Sequence, residues 1–154
     1  DIHGLIDWDY TEKGNQRPIT LVFAKERNST SLQEALFAGR TVAVYNDLLV
    51  GKAEFLVPLL KASITVENAS YAKNTQVLEV ELKNVTSSDL LFQNESEYSF
   101  YDSSPVFEIK AGDTKKVAIK TLVHKDEITL SLKALGCFTA PKTQPIIQWK
   151  IKTK

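Results

Sequence analysis

At 154 residues the chain can hold one domain, or a small domain with an appendage. Its 43% apolar content is that of an ordinary globular protein and excludes disorder, while 19 basic against 19 acidic side chains leave no net field to draw nucleic acid or an anionic membrane. One cysteine, Cys137, excludes an internal disulfide framework, and no apolar run is long enough to span a bilayer.

The chain opens at Asp1, with no signal peptide and no methionine anywhere, so it reads as a fragment or a processed product whose translation began upstream. Asp1-Ile2-His3 sets an acid and an imidazole two residues apart. In an extended segment both point to one face, where they could share a metal; without context the same pair is only a polar chain end. Asp7-Trp8-Asp9-Tyr10 and Gly14-Asn15 follow as a polar loop with two aromatics.

Residues 17–46 read as strand, helix, strand. Pro18 opens a short apolar run over 19–24 that suits a buried strand. Ser31 with Glu34 predicts a capping box, Leu32, Ala35, Leu36 and Ala38 predict one apolar helical face, and Gly39 predicts the stop. A β-branched run over 41–45, a turn at Asn46-Asp47 and a second helix over 52–61 follow. In that helix Phe55, Leu56, Leu59 and Leu60 lie on one side, and Pro58 predicts a kink or a short helix.

From Ser63 the period changes to two. Ile64 with Val66, Leu78 to Leu82, Phe107 with Ile109, Val117 with Ile119, Ile128 to Leu132 and Ile147 to Ile151 each alternate with polar residues. With shorter runs at 90–93 and 98–101 this makes about eight strands at the spacing of a sandwich. The break near Lys61 is architectural and not electrostatic: residues 1–61 carry seven basic and eight acidic side chains, leaving twelve and eleven for the remainder.

Asp-Ile-His at 1–3, Asp-Trp-Asp-Tyr at 7–10, Arg-Pro-Ile-Thr-Leu-Val-Phe-Ala-Lys at 17–25 and Glu-Ala-Leu-Phe-Ala-Gly-Arg-Thr-Val at 34–42 together resemble the C-terminal end of a PHP-domain metallophosphoesterase. The resemblance implies that residues 1–61 end a distorted β/α barrel, that Asp1 and His3 are metal ligands, and that the full-length protein binds divalent metal ions (Zn, Mn or Fe). It further implies hydrolysis of a small phosphate mono- or diester by metal-activated water, with the upstream part of the same polypeptide as partner. The family's His-x-His and intermediate Glu and His ligands do not occur in this sequence, so the fragment alone is expected to be inactive and metal-free. Bacterial proteins of this arrangement resemble exported ones more than cytosolic ones.

The expected fold is therefore α+β: a residual β-α-β segment from a PHP-like barrel over 1–61, then an immunoglobulin-like antiparallel β-sandwich over 62–154. A reading of another class stays open, that of a non-catalytic binding or adhesion module for a glycan or protein ligand. In it Tyr98 and Tyr101 form an aromatic platform, although both residue types also pack ordinarily across sandwiches. The arginines read as surface groups and Cys137 as a small buried residue. Four Asn-x-Ser/Thr triplets, at Asn28, Asn68, Asn84 and Asn94, read as turn chemistry and not as glycan acceptors.

Overall fold

The computed structural model describes residues 18–154. In chain order the elements are β1 (Ile19–Val22), α1 (Ser29–Phe37), β2 (Thr41–Tyr45), β3 (Leu48–Gly51), α2 (Ala53–Ser63), β4 (Ile64–Tyr71), β5 (Val77–Asn84) and β6 (Leu90–Asn94). They continue with β7 (Ser99–Phe100), β8 (Val106–Ile109), β9 (Thr114–Lys120), β10 (Glu127–Leu135), β11 (Cys137–Phe138) and β12 (Ile146–Lys152).

Helix α1 starts one turn earlier than a Ser31–Glu34 box would place it. Asn28 is the cap: with φ −137° and ψ 165° it is extended, and its Oδ1 accepts from the Ser31 N–H at 2.8 Å. The Ser31 hydroxyl is used differently, accepting from the Glu26 N–H at 3.1 Å, and the Glu34 carboxylate pairs with Arg40 at 3.1 Å. The expected stop holds. Gly39 takes φ +65°, its N–H reaches the Leu36 carbonyl at 3.0 Å, and the Arg40 N–H reaches the Ala35 carbonyl at 2.9 Å. These two bonds satisfy carbonyls that the last turn would leave open.

Strand, helix and strand occur in the order read, with β1 and β2 paired antiparallel from Ile19↔Val44 to Val22↔Thr41, where the repeat of a β/α barrel is parallel. The Phe23 N–H extends the ladder to the Arg40 carbonyl at 2.9 Å, so α1 sits inside the loop of a long hairpin. A second hairpin joins β2 to β3 through Asn46, whose φ of 49° the two-residue turn requires. Helix α2 runs unbroken through Pro58; Leu56 and Leu60 are wholly buried, and this burial holds a helix that Pro58 deprives of one bond. It passes into β4 with no loop between.

The sandwich has two four-stranded sheets, β4-β5-β9-β7 and β12-β10-β6-β8. The orders β4-β5-β9 and β12-β10-β6 reproduce the A-B-E and G-F-C arrangement of an immunoglobulin-like fold. Alternate residues face inward, as with Leu78, Val80 and Leu82 on β5 or Ile147, Trp149 and Ile151 on β12. Phe100 and Phe107, 5.6 Å apart and edge to face, join the two sheets. All eight strands expected here are present, and the fold is α+β with an immunoglobulin-like antiparallel sandwich.

The short strand β11 was not legible in the sequence. It pairs parallel to β3 through Cys137↔Leu49 and Phe138↔Val50, completing a third sheet, β1-β2-β3-β11. Gly136, just before it, takes φ +80° and offers its carbonyl to the Leu49 N–H at 3.1 Å; a Cβ there would meet the Asp47 carbonyl oxygen at 3.0 Å. Val42, Val44 and Leu49 of this sheet share one continuous apolar core with α2 and the sandwich.

Candidate functional site

The metal-ligand candidates Asp1 and His3, like Asp7, Asp9 and Arg17, lie outside the described residues. Among the described residues no group of three or more His, Cys, Asp or Glu side chains could hold a metal ion. His124 is engaged in structure. Its ring stacks on Tyr71 with centroids 4.1 Å apart and planes 8° apart, and its Nε2 lies 2.9 Å from the Thr75 carbonyl oxygen. The Tyr71 hydroxyl accepts from the Lys125 N–H at 2.8 Å, so this cluster ties the end of β4 to the segment after β9. The described residues do not by themselves fit a hydrolytic metal centre, which needs three or more protein ligands and an open position.

The two tyrosines flank β7 in unlike settings. Tyr98 is 8% exposed; its hydroxyl accepts from Lys125 Nζ at 2.8 Å and its carbonyl from Asn94 Nδ2 at 2.7 Å. The Lys125 ammonium pKa is raised, first by that hydroxyl and then by the charge of Glu97, which lies 3.5 Å away. Tyr101 is 61% exposed, with Lys120 Nζ 5.4 Å from its ring centroid. A shallow cleft of about 230 Å³ beside Tyr98 is walled by Glu97, Lys120, Leu122 and Lys125. One ring is interior and the other exterior, so only Tyr101 offers an aromatic face to solvent.

Three of the four Asn-x-Ser/Thr triplets resolve into caps or turns. Asn28 caps α1. Asn84, wholly buried, donates from Nδ2 to the Ser88 and Ile109 carbonyls at 2.8 and 3.0 Å, while its Oδ1 accepts from the Thr86 N–H at 3.0 Å and the Thr86 hydroxyl at 2.8 Å. Asn94 repeats the device, accepting from both the N–H and the hydroxyl of Ser96. The hydroxyl two residues on is thus part of the turn, which accounts for the triplet pattern. Asn68 instead stands at a register shift in β4.

Cys137 is buried with its thiol pushed up to about 12 by desolvation, which makes it inert as a nucleophile. The Arg40 guanidinium is held by Glu34. Neither offers reactive chemistry.

The least expected feature is apolar. Of the apolar helical face predicted in α1, Ala35 is wholly buried, but Leu32, Leu36 and Ala38 are exposed, and the neighbouring Phe37 is 92% exposed. On the sheet, Tyr45, Leu48 and Val50 are also exposed, lining with Ile19, Thr20 and Ala43 a shallow groove of about 210 Å³. Periodicity found the stripe; it carried no information on whether a neighbour covers it.

Residues 64–150 match the family described as Ig-like domain, DUF5001. Among solved structures, the chain is similar to a two-domain protein containing a predicted PHP-like metal-dependent phosphoesterase from Bacteroides vulgatus ATCC 8482, with a TM-score of 0.76 and 25% identity. The match covers 95% of this chain and 41% of that one, so the chain spans about two fifths of the length of its relative. No curated protein matches it.

Proposed function

This chain belongs to the Ig-like domain family DUF5001, and from that premise we propose that it is the C-terminal portion of a larger metal-dependent phosphoesterase. The observation that carries the reading is the extent of the structural likeness. It covers 95% of the chain, reaching well upstream of the immunoglobulin-like region at 64–150, and the relative is a two-domain protein containing a predicted PHP-like phosphoesterase. In this reading residues 1–61 end the catalytic domain and residues 62–154 are its appended sandwich. Asp1 and His3 are two of the metal ligands, completed by residues earlier in the polypeptide. A divalent ion, when bound, would supply activated water for hydrolysis of a phosphate mono- or diester. The sandwich braces this part of the catalytic domain: α2, β11 and the shared core fix the β1–β3 sheet against it.

The test is made on the longer polypeptide, with bound metal and hydrolysis of a chromogenic phosphate ester measured for the wild type and for Asp1→Ala and His3→Ala. Both variants should lose metal and turnover. Wild-type metal and rate in both would remove these residues from the mechanism, and turnover by the 154-residue chain alone would sink the reading. Saturable binding of a glycan by the chain alone, lost in Tyr101→Ala, would instead favour a binding module.

A further inference from the structure

We propose that the exposed apolar side chains of α1 and of the outward side of β1–β3 form the docking surface for the catalytic body of that longer polypeptide, an inference that rests on the reading above.

Among the described residues, half of the exposed large apolar side chains, seven of fourteen, lie from Ile19 to Val50, a stretch that is less than a quarter of the described chain. Leu32 and Leu36 are one helical turn apart, and Phe37 stands almost fully in solvent beside them. On the sheet, Ala43 is paired with Thr20 and Val50, and Tyr45 with Leu48, so these five side chains share one face. The exposed apolar side chains Ala43, Tyr45, Leu48 and Val50 adjoin one another on that face, and contiguous apolar exposure of this kind marks an interface.

The sandwich treats its solvent faces differently. They carry ion pairs: Lys116 with Glu79 at 3.1 Å, Lys110 with Asp89 at 2.6 Å, Lys133 with Glu95 at 3.0 Å. The apolar face therefore belongs to the part that precedes the immunoglobulin-like region. More than half of the matched relative lies outside the region this chain covers, which provides a protein body to occupy it. The net charge of zero gives an anionic membrane no hold.

Carbene footprinting of Leu36, Phe37 and Tyr45 in the longer polypeptide and in the 154-residue chain tests the inference, with exposed Tyr101 as the internal control. Labelling of the three should fall several-fold in the longer polypeptide while Tyr101 stays unchanged. Leu36→Asp with Phe37→Asp in the longer polypeptide should restore labelling at Tyr45. Equal labelling in both proteins overturns the inference, as does sedimentation showing that the chain alone dimerises through this face and that Phe37→Asp makes it monomeric. The two proposals fail separately. An active longer polypeptide without protection sinks the docking surface alone, and a protected but inactive, metal-free one sinks the phosphoesterase alone.

Discussion

Replacing Asn84 by alanine should cost more than any other single polar deletion in the sandwich. The side chain is wholly buried where the end of β5 meets the 85–89 turn and β8, and it makes four hydrogen bonds there. A buried hydrogen bond contributes about 1 kcal/mol net, and more when its loss leaves a partner unsatisfied, so Asn84→Ala should lose about 3–5 kcal/mol. That is a large fraction of the roughly 5–15 kcal/mol that holds a typical domain together. Urea denaturation should show a lower midpoint at unchanged slope. Asn68→Ala is the control, since that side chain makes only a 3.5 Å contact with Ser70; its effect should stay within about 0.5 kcal/mol. Thr86→Val combined with Asn84→Ala should be less than additive, because the two side chains bond each other. A loss below about 1 kcal/mol for Asn84→Ala would show that the turn rearranges freely and that the hydrogen-bond argument is wrong.

Three further outcomes are expected. Gly136→Ala forces a Cβ into a left-handed residue 3.0 Å from the Asp47 carbonyl, and should cost about 1–3 kcal/mol by thermal denaturation. The Asp89 carboxylate accepts from Lys110 Nζ at 2.6 Å and from the Ala111 N–H at 2.8 Å, which lowers its pKa below the usual carboxylate value. Its contribution is therefore present above the ordinary carboxylate range and lost as pH falls through the lowered folded value, so stability curves of wild type and Asp89→Asn should converge at acid pH. Cys137 should resist a thiol reagent in native buffer and react at once in denaturant; fast native labelling would refute its burial.

How far the sequence could be read differs by element. Strand existence in the sandwich was legible because period-two alternation records which face is dry, and β5 shows it residue by residue. The start of α1 was misplaced because Ser31–Glu34 fits a capping pattern as well as Asn28 does, and only the extended backbone at Asn28 selects between them. β11 escaped notice because two residues carry no period, and its partner β3 is more than eighty positions away. The candidate ligands Asp1 and His3 came from resemblance and not from local chemistry, while helical spacing marks the apolar face of α1 without telling whether a neighbour covers it.

The sequence by itself determined that this protein has an alternating, antiparallel body preceded by a strand–helix–strand segment, since side-chain periodicity is a local record of water on one side and apolar neighbours on the other. Only the tertiary structure decided how the segment pairs, that β11 and α2 bind it to the sandwich, and which apolar side chains are left without cover. Those outcomes depend on contacts between residues far apart in the chain, for which no single stretch holds the information.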